Sequence, residues 1–160
     1  MAGFFIVSTV QLLPAVLIVR NFTVIPSQID AQLDASLDWP WPNFSRAEMA
    51  CRHCGEGYDW PAFMDALQRA RDISGRPFHI LSAHRCAVHN ARVGGAPLSQ
   101  HLRLAADISL QGHRRRNLVT ACKTAGFTGF GYYQTFLHID LGPARKWYGG
   151  PKAKKLWQTL

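Results

Sequence analysis

The feature that most constrains this chain is a set of three metal-type donors spread along it: His101, Asp107 and His138. Two imidazoles and one carboxylate suit zinc in a site that keeps a fourth position open for water. His101 and Asp107 flank the passage from a loop into the strand-like run Leu104 to Leu110. His138 lies in a separate run, Phe136 to Leu141. Sheet neighbours distant in sequence commonly supply such sites, so a shared centre points to a sheet. Spacing alone leaves the other reading equally open, in which Asp107 is a local cap and the two histidines are merely hydrogen-bonded.

The surrounding pattern predicts such a sheet with helices beside it. Phe63, Leu67, Ala70 and Ile73 recur at helical spacing, which predicts a helix over Trp60 to Ser74. Asp59 or Pro61 starts it and Gly75 stops it. Ser45 and Glu48 form a capping box for a short helix reaching about Ala50. Pro77 to Ser82 alternates as a strand does, with His79 as a half-exposed sheet residue. Ala87 to Ala91 is expected as a short helix or turn, Gly94 to Pro97 as a loop and Phe127 to Tyr133 as a Gly-rich strand. Between them, Arg115 to Ala125 reads as a second amphipathic helix, with Leu118, Val119, Cys122 and Ala125 inward and Gly126 at its end. Elements mix irregularly over short connections. The expected fold class is α+β, a small antiparallel sheet flanked by helices in a single domain.

Three segments are expected: residues 1–37, a central domain over 38–150, and a basic tail over 151–160. Phe4 to Val19 is apolar but short for a membrane span. No Lys or Arg precedes it, and no small-residue cleavage pattern follows. It reads as an atypical signal or anchor, as a buried element, or as an extension, so membrane association through residues 4–19 stays open. Ile25 to Leu37 reads as a linker, and Trp39-Pro40-Trp41-Pro42 as extended chain. The net charge of +8 favours an anionic partner. The basic residues are dispersed and no groove-reading motif is present, so nucleic acid is not expected.

Cys51-Arg52-His53-Cys54 is a C-x-x-C, but Cys86 and Cys122 supply no second pair of that kind. Two options follow: a structural zinc knuckle from Cys51, Cys54 and Cys86, with His53 as a further candidate, or, in an exported protein, a disulfide from the Cys51/Cys54 pair to Cys86. Cys122, within an apolar helical pattern, reads as a buried free thiol.

Several runs appear in an order that carries a resemblance. They are Ser82-Ala83-His84-Arg85-Cys86, His89-Asn90, Val93-Gly94-Gly95-Ala96, Ser99-Gln100-His101, Ala105-Ala106-Asp107-Ile108, Gly129-Phe130-Gly131-Tyr132-Tyr133, and Phe136-Leu137-His138-Ile139-Asp140-Leu141-Gly142 with Trp147. Together they resemble the zinc D-alanyl-D-alanine carboxypeptidase family, in its branch of small murein peptidases of bacteria and phages. The resemblance covers roughly Phe44 to Gly149. It implies one Zn2+ bound by His101, Asp107 and His138, and cleavage of peptide bonds in peptidoglycan stem peptides or cross-links. It also implies a periplasmic or cell-envelope location, or a phage-encoded protein delivered to the wall. A monomer is expected.

By the same resemblance Arg85 is expected near the substrate, where a guanidinium grips peptide carboxylates. Ser99 is expected to orient a ligand or a substrate carbonyl, or simply to make a turn hydrogen bond. Asp140 is expected either to carry the catalytic proton or to fix a histidine tautomer. Relatives place an acidic residue three positions before the last histidine, where this chain has Thr135. Two departures stand out. His84 replaces a usual Tyr, and is expected to add a donor near the substrate or to fill a polar pocket. The family's Asp lies seven positions after its first His, whereas here the interval from His101 to Asp107 is six. In a strand one residue changes the face of every side chain. Either the loop Leu102 to Leu104 absorbs the loss, or the protein is a catalytically impaired wall-binding module of the same fold.

Overall fold

The structure is a computed structural model that describes residues 39–158. The apolar run 4–19 and the linker up to residue 37 lie outside the described residues. No helix among the described residues is long and apolar enough to cross a membrane.

Local chemistry sets most element ends. Ser45 Oγ accepts from the Glu48 amide at 3.1 Å and starts α1 (Arg46–Met49). Pro61 opens α2 (Pro61–Ser74), which ends where Gly75 takes φ 63°. Strand β1 (Ile80–Ser82) follows, then α3 (Ala87–Arg92), capped by Cys86, and a 3-10 turn over Gln100–Leu102. Next come β2 (Ala106–Ser109), α4 (Arg115–Thr124), β3 (Gly129–Tyr132) and β4 (Phe136–Asp140). The helices and strands match expected elements, trimmed at their ends except for α3, which runs one residue further to Arg92; the 3-10 turn was not anticipated. Ile73, expected inward on α2, is exposed at 47%.

Two further elements were not anticipated. Arg145–Tyr148 forms β5, parallel to β3. The expected basic tail instead begins with α5 (Pro151–Trp157), because Ala153 and Trp157 are buried in the core while the lysines between them face outward. The Trp157 indole donates to the Tyr133 carbonyl at 2.7 Å and pins the helix to the sheet.

The sheet runs β1-β2-β4-β3-β5, antiparallel except for the β3–β5 pair. Alternation along the strands divides its two faces. Ala106, Ile108, Phe130, Tyr132, Leu137 and Ile139 join the apolar core with Phe63 and Leu67 of α2 and Leu118 and Cys122 of α4. The intervening positions put Asp107, His138, Asp140, Gly129, Gly131, Arg145 and Trp147 on the opposite face. Register then forms two rows across that face. One reads Asp140, Gly129, Arg145, and the other Asp107, His138, Gly131, Trp147. The fold is therefore α+β with a mostly antiparallel sheet.

Cys122 is fully buried, and burial pushes its thiol up to about 12 from an ordinary 9.0. The unfolded chain gives up that proton first. Stability from this group is thus intact below pH 9.0 and declines toward pH 12, at up to about 1.4 kcal/mol per pH unit. Denaturant titrations of wild type and Cys122→Ala across that window should show the shallower decline in the variant. Parallel declines would refute the assignment.

Candidate functional site

His101 sits in the 3-10 turn, where Ser99 Oγ accepts its amide at 3.3 Å. Its Nδ1 lies 2.6 Å from the Ala83 carbonyl. A carbonyl only accepts, so Nδ1 carries the proton and Nε2 is left with its lone pair. On β4, His138 Nε2 lies 2.9 Å from Asp140 Oδ2. That carboxylate accepts from the Nε2–H and so turns the Nδ1 lone pair to the opposite side. Asp107 stands directly across from His138 in the β2–β4 register.

The three lone-pair atoms meet. Asp107 Oδ1 is 2.9 Å from His138 Nδ1 and 3.3 Å from His101 Nε2, and the two nitrogens are 3.1 Å apart. All three residues are buried. Bond lengths of 2.0–2.2 Å give a tetrahedral edge of about 3.3–3.6 Å, so the donor triangle is close to the size zinc requires. Its chemistry also fits: two correctly protonated imidazoles and an ionised carboxylate.

The six-residue interval does not separate the donors. Strand β1 carries an irregularity between Ile80 and Ser82 opposite Asp107. The loop itself is held at Arg103, whose carbonyl lies 2.7 Å from His84 Nδ1 and whose guanidinium sits 4.4 Å over the Trp60 ring. Leu104 is fully buried. The loop Leu102 to Leu104 lies ahead of β2, and the donors meet across the six-residue interval.

Behind the donors lies a ring of charge. Arg85 Nη2 donates to Asp107 Oδ2 at 2.7 Å, and its Nε to Ser82 Oγ at 2.8 Å. Asp140 is fully buried and saturated. It accepts two bonds from Arg145, at 2.9 and 2.7 Å, one from the Gly142 amide at 2.7 Å and one from His138. Burial raises the Asp107 carboxyl, but bonds from His101 and His138 outweigh it and hold it far below the usual range. Burial raises Asp140 as well, and His138, Arg145 and Gly142 bring it down to about 2. Burial lowers His138, but its two carboxylates push it above its ordinary value.

Asp140 lies behind His138, fully buried with both oxygens hydrogen-bonded, a placement that suits orienting that imidazole. His84 is not at the substrate surface. It is buried against Tyr58 and spends Nδ1 on the Arg103 carbonyl, because Arg85, its neighbour in extended chain, takes the cleft-facing direction. Ser99 lines the cleft, with its hydroxyl engaged in the turn bond. Arg85 lines the cleft too, but its first partner is Asp107.

The cleft above the donors measures about 520 Å³ and is walled by the Gly94–Gly95–Ala96 loop, Tyr133, Phe136, Arg145 and Trp147. The Trp147 indole donates to the Tyr133 hydroxyl at 3.1 Å. Sequence reasoning missed Arg145 and Tyr133. The signal for Arg145 was the pair of glycines: a Cβ on Gly129 would strike the Asp140 carboxylate, and one on Gly131 would strike Trp147 and His138.

An α+β domain with a His–Asp–His cluster on the floor of an open cleft has the build of a metallopeptidase. The family comparison agrees: the family model described as Peptidase M15 matches residues 42–140, and the chain belongs to the peptidase M15 family. The chain is also similar to the peptidoglycan L,D-endopeptidase MepK of Escherichia coli (strain K12). The two are 32% identical over 97 residues, covering 54% of this chain and 53% of that protein. The MepK protein of Shigella flexneri matches to the same degree. The chain thus spans about half the length of the curated relatives it matches.

Replacing Arg145 by Ala strands a buried charge, which costs about 3–5 kcal/mol. Urea unfolding should show a loss of that order for Arg145→Ala and a smaller one for Arg145→Lys. Gly129→Ala should destabilise comparably. An unchanged midpoint for both Ala variants would contradict the buried-pair account.

Proposed function

We propose that this protein is a zinc-dependent peptidase that hydrolyses peptide bonds of peptidoglycan stem peptides or cross-links, cutting internally in preference to trimming a terminal D-alanine. The observation that carries the reading is the convergence of three correctly oriented donors on the floor of an open cleft. The family and the MepK likeness support it. The open cleft suits a polymeric substrate, and the basic charge suits a wall rich in anionic groups. The same reading has the protein act as a monomer in the periplasm or cell envelope, or delivered to the wall from a phage. It needs no nucleic acid.

His101 Nε2, Asp107 Oδ1 and His138 Nδ1 would hold a zinc ion, which would supply Lewis acidity toward a water and the scissile carbonyl. The chain's own residues do the rest. Asp140 keeps the His138 proton on Nε2 and so keeps the donor lone pair pointed inward. Arg85 neutralises the outer Asp107 oxygen and holds that carboxylate in place. Its Nη1, uncommitted among the described residues, faces a substrate carboxylate. Tyr133 accepts from Trp147, so its own O–H is left to donate into the cleft, toward the carbonyl or the departing amine. Among the described residues the cleft's carboxylate is Asp107 alone. The impaired-module alternative rested on the short interval, and the donors meet in spite of it.

Purified full-length chain should retain zinc and release peptides from isolated peptidoglycan. His101→Ala should lose both. Asp140→Asn should weaken zinc binding by about 10–100-fold. Tyr133→Phe should keep its zinc and lose about 10²-fold in rate. Mass spectrometry of the digest separates split cross-linked dimers from free D-alanine. Peptide release that persists in His101→Ala, or after chelation, would sink the proposal.

A further inference from the structure

Outside the cleft, a second group of metal-type donors gathers where the turn after α1 meets the start of α3. The sulfur atoms of Cys51, Cys54 and Cys86 lie within 4.8 Å of one another. All are free thiols, so the disulfide considered for an exported chain is not formed. His89 Nδ1 lies 3.5 Å from Cys51 Sγ. Tetrahedral zinc, with Zn–S near 2.3 Å and Zn–N near 2.0–2.1 Å, has edges of about 3.8 Å between sulfurs and about 3.6 Å from sulfur to nitrogen. The Cys51 Sγ–His89 Nδ1 separation matches such an edge, and the separations among the three sulfurs exceed theirs by about 1 Å at most.

The geometry points to a second, structural zinc site formed by Cys51, Cys54, Cys86 and His89. The ligands come as two pairs, Cys51-x-x-Cys54 and Cys86-x-x-His89, the paired spacing of closed structural sites. The first pair lies on a tight turn. The Gly55 amide bonds the Cys51 carbonyl at 2.8 Å, the Cys51 amide bonds the Glu56 carbonyl at 2.8 Å, and Gly55 takes φ +77°. The second pair lies on the first turn of α3, with Cys86 as its cap.

Backbone amides already point at the sulfurs as they would at thiolates. The Cys86 amide lies 3.3 Å from Cys51 Sγ, and the His89 amide 3.4 Å from Cys86 Sγ. Burial alone would raise the Cys51 thiol, but the amides of Cys86, Cys54 and His53 and the His89 ring outweigh it and bring it to about 5. Cys54 goes the other way. A bond with Glu56 lowers it, but desolvation and the neighbouring sulfurs prevail and push it to about 11.

His53 is the competing fourth ligand, with Nδ1 3.5 Å from Cys86 Sγ. It is exposed, whereas His89 is half-buried beside Cys51. The placement gives the site a purpose. Cys86 follows Arg85, the residue that grips Asp107, and the His84 amide already bonds the Met49 carbonyl at 3.2 Å. A metal here fastens the turn after α1 to the segment that presents Arg85.

The test uses full-length protein, purified reduced, and counts metal. Wild type should hold two zinc ions per chain, and His101→Ala one. A Cys54→Ser/Cys86→Ser double variant should keep only the cleft zinc. Cobalt substitution should give an intense near-ultraviolet thiolate-to-metal band in wild type and in His101→Ala. That band should be lost or much weakened in His89→Ala and retained in His53→Ala. His101→Ala keeps all four proposed ligands, so its spectrum decides the matter even if the cysteine variants fail to fold. A His101→Ala protein with no bound metal and no thiolate band overturns the proposal, as does a disulfide among these cysteines in the metal-loaded chain. Loss of the band in His53→Ala with retention in His89→Ala overturns the His89 assignment. Because the cleft zinc and peptidoglycan cleavage are read in separate variants, failure of this site is distinguishable from failure of the peptidase reading.

Discussion

An ionised carboxylate with no exposed surface is expensive to bury, and Asp140 is such a group. Its cost is offset only because four donors converge on it: two from Arg145, one from the Gly142 amide and one from His138. Arg145 sits two strands away, on β5, with β3 between. Neighbouring strands are about 4.8 Å apart, so the guanidinium has to cross roughly twice that distance over the middle strand. A side chain at Gly129 would occupy the crossing point. The glycine is there because the ion pair needs its space, and the parallel β3–β5 pairing sets the arginine in line with it.

The second row repeats the device. Gly131 lies between Trp147 and His138, and the indole reaches across it to within 5.1 Å of the imidazole, ring centre to ring centre. The same indole holds the Tyr133 hydroxyl. Two rows of one sheet face therefore set the tautomer of His138, the wall beside it and the phenol that lines the cleft. Asp107 and His138 take their positions from backbone register, and His101 is held in its turn by the Ala83 carbonyl. Preorganisation of this kind is what a metal site with little room for adjustment requires.

His101, Asp107 and His138 were legible because each lay in a run of distinctive residues, and the elements around them because helical and strand periodicities were clear. What stayed hidden depended on pairing over distance. Nothing local marks Arg145–Tyr148 as a strand parallel to β3, so Arg145 drew no reading and Trp157 fell within the expected tail. The roles of His84 and Arg85 turned on which of two adjacent side chains faces the cleft, a matter of register that composition does not carry. Cys86 was read together with Cys51 and Cys54, but the histidine three residues after it was not, because the sequence pattern put His53 forward instead. The six-residue interval looked hazardous because a strand cannot lose a residue silently. A loop can, and Leu102 to Leu104 precedes β2.

These pairings bear on how the cleft attracts substrate. Two arginines line it, but each is matched to a carboxylate: Arg85 to Asp107 and Arg145 to Asp140. With His101 and His138 neutral, as metal binding demands, the four charges cancel. In the peptidase reading proposed above, a metal held by the three donors would then be the main positive charge open to an anionic peptide, backed by the weaker field of the basic surface. On that reading substrate affinity and catalysis would depend on the same ligand set, and removing the metal would cost the charge that draws a peptide in as well as the chemistry that cuts it.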